Sequence, residues 1–141
     1  MSNVEIKRHW KIAYSTPKLL HLFPRAHEEL EELHWADRTA FEKINQQYFF
    51  PVECMEVLAY VDGVLAGGCG VADGADMHFG KIGQVLALYV LPEYARTSLG
   101  IGMKLIKEAK IVTRDVFQRR CLSFTHRRKY NEYITRYSKC R

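Results

Sequence analysis

Gly100 and Gly102 stand two residues apart where an apolar run gives way to a helical pattern, a spacing that can hold an anion on main-chain amides. The first turn of an α-helix has amides without intrahelical partners, and glycines there let a ligand approach the backbone. In Leu99-Gly100-Ile101-Gly102 those amides face outward; phosphate is the natural guest, and Arg96 and Lys104 can add cationic contacts. The same two glycines also fit a helix start that needs only flexibility. Away from this loop, the groups able to move protons are few. His78 and His126 are candidates, because an unperturbed imidazole titrates near 6.5, although a lone histidine is more often structural.

The elements that must position the loop lie on either side of it. Gln84–Leu91 is a near-continuous apolar run bounded by Gly83 and Pro92, as expected of a central strand covered on both faces. Beyond the loop, Ile101, Leu105, Ala109, Val112 and Val116 recur at helical spacing among Lys104, Lys107, Glu108 and Lys110, which predicts a core-facing helix of about four turns. The stretch from Val85 to Phe117 is therefore a strand, a glycine-containing loop and an amphipathic helix.

Upstream, Val4 to Ala13 reads as an opening strand that ends at Ser15-Thr16-Pro17. Pro17 suits a first helical position, and Pro24 then separates a short helix from a second one running from Arg25 through Trp35, with its glutamates outward. Residues 36–52 mix helical spacing (Phe41, Ile44, Tyr48) with an apolar run ending at Pro51 and give no single reading. Met55–Val61 and Val64–Val71 are β-rich runs joined by Asp62-Gly63, a strong hairpin signal. Gly67-Gly68-Cys69-Gly70 implies a bulge, a twist or a close approach to the backbone, and Ala72–Asp76 reads as a turn-rich connection lacking the other ligands of a calcium loop. Cys121–Thr125 predicts a further strand. Residues 129–138 fit a helical face (Tyr130, Ile134, Tyr137) and also alternate (Tyr133, Thr135, Tyr137); their β-branched and aromatic content leans towards a hairpin of 121–126 with 132–138.

A chain of 141 residues, 48% hydrophobic and 26% charged, has the balance of one globular domain, 1–141, rather than of a disordered segment. Its apolar runs are far shorter than the ~20 residues that span a bilayer, and Glu5, Lys7, Arg8 and His9 stand where a signal peptide is apolar, so a cytoplasmic protein is expected. Cys54, Cys69, Cys121 and Cys140 form no CxxC pair and have no histidine at zinc spacing, so reduced thiols and no metal site are expected. The net charge of +5 belongs to the C-terminal end, where Arg119, Arg120, Arg127, Arg128, Lys129, Arg136, Lys139 and Arg141 face a single acid, Glu132. Such a run is a solvated surface or a contact for an anionic cofactor, an acidic partner or nucleic acid; without a recognisable nucleic-acid module, nucleic acid is not the partner expected.

Leu88-Tyr89-Val90-Leu91-Pro92-Glu93-Tyr94, then Arg96, then Leu99-Gly100-Ile101-Gly102-Met103-Lys104-Leu105-Ile106 resembles the GNAT superfamily of acyl-CoA-dependent N-acyltransferases. The order of elements over roughly residues 4–125 is similar to that family as well. The resemblance implies an α/β (α+β) fold: a mixed, largely antiparallel central sheet flanked by helices, shortened at the C-terminus. It further implies acetyl-CoA as cofactor. The amides of Gly100, Ile101 and Gly102 would bind its pyrophosphate, with Arg96, Thr97, Ser98 and Leu99 in the same loop, and the backbone of Val90 with Tyr89 and Leu91 would pair with the pantetheine arm. The family pattern Arg/Gln-x-x-Gly-x-Gly/Ala, laid on Gly100 and Gly102, puts Thr97 at the basic position and Arg96 one residue before it. Tyr94 to Gly100 is two residues longer than the common form, so either the loop bulges or the small positions are Ser98 and Gly100.

Many relatives place a glutamate on the strand before the loop as a base acting through water; Gln84–Val90 contains none, so a base comes from elsewhere or is dispensable. If residues 129–139 are helical, Asn131 and Tyr137–Lys139 resemble the family motif whose tyrosine protonates the leaving thiolate, which makes Tyr137 the acid; if they form a strand, that assignment fails. Two functions follow: acetyl transfer to a primary amine on a small molecule or protein by a monomer or homodimer, or a catalytically inactive GNAT-like binding module, such as a viral structural or accessory protein in a larger, virion-associated assembly.

Overall fold

The computed structural model describes residues 3–140; Arg141 of the basic end lies outside them. The chain runs β1 (Val4–Lys11), α1 (Phe23–Glu29), α2 (Arg38–Phe49), β2 (Cys54–Val61), β3 (Val64–Asp76), β4 (Gly80–Val90), α3 (Ile101–Asp115), β5 (Cys121–Lys129) and β6 (Glu132–Lys139), with 3-10 turns at Lys18–Leu22 and Glu31–Leu33. The six strands form one sheet in sequence order. All neighbours are antiparallel except β4 and β5, which lie parallel and register only at Gly83 with Leu122 and Gln84 with Ser123. This is an α+β architecture with a largely antiparallel sheet.

Successive side chains of a strand point to opposite faces, and the two faces are covered by different helices. Val57, Cys69, Val71 and Leu122 pack under Leu105, Ala109 and Val112 of α3. On the other face, Leu58 and Leu91 meet Leu19, Leu22, Phe23, Phe41 and Phe49 from the α1–α2 region. Two buried charges hold the second layer. Glu56 accepts from the amides of Lys18 and Leu19 at 3.0 and 2.9 Å and contacts His9 Nδ1 at 2.8 Å, while the buried Lys11 ammonium donates to the carbonyls of Ile12, Phe50 and Val52. Each charge is thereby supplied with partners that replace water.

Several expectations change. Pro24 does not separate two helices: the 3-10 turn runs directly into α1, where Pro24 occupies the first turn and needs no amide bond. The helix expected over Arg25–Trp35 stops at Glu29, with Leu30 extended (φ −106°, ψ 106°), because Glu28 and Glu29 crowd the negative end of the helix dipole. Glu32 turns inward to β5 rather than outward. Residues 36–52 contain α2, started by Asp37, whose Oδ1 accepts from the Ala40 amide at 2.8 Å; Phe41 and Phe49 face the core while Ile44 and Tyr48 are exposed.

The hairpin at Asp62-Gly63 forms with both residues at positive φ (49° and 83°), the geometry that follows strand twist. Ala72–Asp76 is strand, since β4 begins at Gly80 and pairs back to Asp76. Val116 is exposed and Phe117 takes its packing place against Trp10. Residues 121–139 form the hairpin, turning at Tyr130-Asn131 with Asn131 at φ 57° and the Thr125 and Thr135 hydroxyls 2.7 Å apart.

Candidate functional site

The site is built where β4 leaves β3 and β5. Gly68 pairs with Tyr89 but Gly70 pairs with Leu86, so Ala87 and Leu88 oppose a single residue, Cys69, and Ala87 takes a positive φ of 53°. The glycine run on β3 answers close approaches on several sides: a Cβ on Gly67 would lie 2.9 Å from the Tyr89 carbonyl, and one on Gly68 would lie 2.7 Å from a Leu19 methyl. From Val85 onward the β5-facing edge of β4 has no strand partner among the described residues, which opens a wedge between β4 and the β5–β6 hairpin.

At the wide end of the wedge, Tyr94 and Ala95 donate to the Leu91 carbonyl at 2.9 and 3.0 Å and turn the chain after Pro92. The Thr97 hydroxyl donates to the Tyr94 carbonyl at 2.9 Å and accepts from the Leu99 amide at 3.3 Å. Thr97 therefore braces the loop. Arg96 sits at φ 56° and Gly100 at φ 60°, the left-handed conformation that costs glycine least, and α3 begins immediately after. Gly100 is the N-cap of α3, Gly102 stands in its first turn and Ser98 lies in the loop before them.

The amides of Ile101, Gly102 and Met103 have no acceptor within the helix and face a cleft of about 340 Å³ lined by Val90, Tyr94, Ala95, Arg96, Thr97, Gly100, Ile101, Gly102 and Met103. A Cβ on Gly102 would meet nothing within 4 Å, so the cradle is open to a ligand that needs the main chain. Lys104, Lys107 and Lys110 line the adjoining groove and make its field positive. These features fit a phosphorylated cofactor on the backbone of this loop.

Six of the ten cofactor-binding candidates line this cleft: Val90, Arg96, Thr97, Gly100, Ile101 and Gly102. Leu99 packs against the α3-side core, Leu91 is buried in the other layer, and Ser98 is exposed. The Tyr89 side chain turns to the α1–α2 layer, where its hydroxyl is buried without a hydrogen-bond partner. Burial pushes this phenol up, Glu29 adds to the effect and Arg25 opposes it. Tyr94, Ala95 and Met103 line the cleft as well; Tyr94 and Met103 stand inside the quoted motif, which is the signal for them, while Ala95 falls between its parts.

The three proton-transfer candidates are not brought to the cleft. His78 lies in the β3–β4 turn, its amide donating to Asp76 Oδ1 at 2.7 Å. The eleven-residue β4, roughly 35 Å long, separates that turn from the loop. His126 sits on β5, where its Nε2 accepts from Arg136 Nε at 3.1 Å. Tyr137 is on a strand, so the helical motif that would make it the acid is not formed; its hydroxyl donates to Asp76 Oδ2 at 2.8 Å and its ring stacks on Phe79 at 4.6 Å. That hydrogen bond, with burial, raises the Tyr137 phenol above its ordinary value.

All four cysteines are free thiols. Burial raises Cys54 to about 11 and Cys69 to about 12, which keeps both protonated and unreactive. No helix among the described residues is long and apolar enough to cross a membrane.

A family model described as the acetyltransferase (GNAT) family matches residues 16–138. No curated protein sequence matches the chain significantly. Among solved structures, a GCN5-related N-acetyltransferase from Ralstonia eutropha JMP134 aligns with a TM-score of 0.61 at 17% identity, over 89% of this chain and 84% of that one. A ribosomal-protein-alanine N-acetyltransferase from Brucella melitensis biovar Abortus 2308 aligns with a TM-score of 0.58 at 21% identity, over 89% and 82%. The PaiA N-acetyltransferase from Thermoplasma acidophilum, in complex with coenzyme A, aligns with a TM-score of 0.58 at 13% identity, over 90% and 82%. At these identities the likeness is one of fold.

Proposed function

Because this chain belongs to the acetyltransferase (GNAT) family, we propose that it is an N-acyltransferase carrying acetyl from acetyl-CoA to a primary amine on a small molecule or a protein. The observation that carries this reading is the loop cleft: a left-handed Gly100, the open amides of Ile101–Met103 and an unpaired β4 edge meet in one place. The amides at the start of α3, with Arg96 and Lys104, would hold the phosphates, and the free main chain of β4 around Val90 would hold the arm. The cofactor, when bound, supplies the activated acyl group. The chain's part is to bind and orient it and to exclude water; α3 and the α1–α2 layer cover opposite faces of the sheet beside β4.

With no carboxylate between Gln84 and Val90, an acceptor that arrives as the neutral amine needs no base on β4. On this reading activity rises with pH towards the pKa of the acceptor amine. Calorimetric titration with acetyl-CoA, coenzyme A and ATP at moderate salt tests the binding step. Saturable binding of acetyl-CoA and coenzyme A but not ATP supports the proposal; equal binding of all three reports only a basic surface.

The second reading, a catalytically inactive binding module, is favoured by one observation: Tyr137 lies on β6, outside the helical motif that would make it the acid. Specific acetyl-CoA binding without acetyl transfer across a panel of primary amines supports it.

A further inference from the structure

At the opposite end of β4 from the phosphate loop, the structure holds a cavity of about 670 Å³ lined by Phe79, Lys81, Arg120, Cys121, Tyr137, Lys139 and Cys140. Its size falls in the range of small-molecule sites, roughly 300–1,000 Å³. The lining comes from three separate pieces of chain: the β3–β4 turn, the start of β5 and the end of β6.

The charges in this cavity are of one sign. Lys81, Arg120 and Lys139 each lack an ion-pair partner within 4 Å among the described residues, whereas the neighbouring Arg119 is taken up by Asp73 through two bonds of 2.9 and 3.0 Å. The other nearby carboxylate, Asp76, is engaged by the Tyr137 hydroxyl and by the amides of His78 and Phe79. Both acids are thus committed, and the three cations are left facing the cavity.

The cavity lining also includes a stacked aromatic pair. Phe79 and Tyr137 stack at 4.6 Å with planes 30° apart, and the bond from Tyr137 to Asp76 fixes the pair in place. Both rings remain exposed, so a preformed aromatic surface stands beside three unpaired cations. Stacking on such a surface and charge-assisted bonds to phosphate are additive forms of recognition for a ligand that carries a ring and an anion.

We infer that this cavity is a second ligand site, separate from the acyl-CoA loop, for a small anion bearing a flat ring, with a nucleoside monophosphate as its model. The ring extends the Phe79–Tyr137 stack on an outer face, and the phosphate is met by Lys81, Arg120 and Lys139. The site does not depend on the acyl-transfer reading.

The test is amide chemical-shift mapping of the full chain titrated with AMP, with adenosine and inorganic phosphate as the two halves. The expected result is movement of the Lys81, Arg120, Cys121 and Tyr137–Cys140 amides, with each half binding about tenfold more weakly than AMP. Lys81→Glu with Arg120→Glu weakens AMP by a further factor of about ten, Tyr137→Leu weakens AMP but not phosphate, and Gly102→Val leaves these shifts unchanged. AMP that moves only residues 96–104, phosphate that binds as tightly as AMP, or wild-type spectra without shifts at the cavity overturns the inference. Acetyl-CoA is titrated in the same spectra at residues 96–104, so failure at one end of β4 is distinguished from failure at the other.

Discussion

Glu32 and Arg127, 95 residues apart in sequence, meet with Arg127 Nε 3.0 and 3.1 Å from the two carboxylate oxygens. The same carboxylate accepts from the Asn131 amide at 2.7 Å. One end of the α1 segment is thereby tied to the β5–β6 hairpin. Seven residues earlier in the chain, Arg25 donates through both terminal nitrogens to Glu93 at 3.1 Å each and ties the other end to the residue after Pro92. Residues 25–32 therefore bridge the two sides of the wedge, one attached to the cofactor loop and the other to the hairpin.

Removing the Glu32 tie should loosen the hairpin. The Glu32 side chain is only 8% exposed, so Glu32→Gln should cost about 1 kcal/mol and lower Tm by roughly 4 °C, read by thermal melts at neutral pH. Desolvation pushes this carboxyl up, but the Asn131 amide and the Arg127 guanidinium outweigh it, and its pKa falls below the ordinary 4.5. A lowered folded-state pKa gives stability that is complete above the unfolded value and lost as pH falls through the folded one. The gap between wild type and Glu32→Gln should hold above about pH 5 and shrink as the pH falls below the ordinary 4.5 through the lowered folded-state value; a gap independent of pH contradicts the tie.

Gly102→Val should separate binding from folding. A Cβ there meets nothing within 4 Å, so Tm should change by only a degree or two, while acetyl-CoA affinity falls at least about tenfold because the side chain fills the approach to the amides. Gly100→Val should lose both, since a β-branched residue at φ 60° costs roughly 1–2 kcal/mol. Retained affinity for coenzyme A in the Gly100, Gly102 double variant contradicts the loop assignment.

Tyr89→Phe should not destabilise the protein. Its hydroxyl is buried without a partner, and deleting an unsatisfied polar group should leave stability unchanged or raise it by about 1 kcal/mol. Urea melts check this; a loss of more than about 1 kcal/mol means that the hydroxyl has a partner in solution.

Thiol labelling of the native protein at pH 8 should proceed first at Cys121, which is partly exposed. Cys54 and Cys69 should react only as the protein unfolds, because burial raises them to about 11 and about 12. Labelling with an aromatic disulfide, followed by peptide mapping, gives the order; rapid modification of Cys69 contradicts its burial.

The sequence by itself determined the parts of this protein that short stretches of chain specify. Val85 to Phe117 is strand, loop and helix because an apolar run, Pro92, two glycines and a 3.6-residue period follow one another without conflict, and Asp62-Gly63 fixes its hairpin through its own dihedral angles. Six of the cleft residues follow from that local pattern. Tertiary structure alone decided the rest. Residues 129–138 satisfy both periods, and pairing with β5 selects the strand. Glu32 belongs to a surface run by composition and faces inward because Arg127 and Asn131 reach it across 95 and 99 residues. His78 and Tyr137 have the right chemistry for proton transfer, but the direction of β4 carries them to the far end of the sheet from the loop. Residue type states what a side chain can do, whereas its distance from a reacting atom is set by strand register and chain crossing, which no local spacing contains.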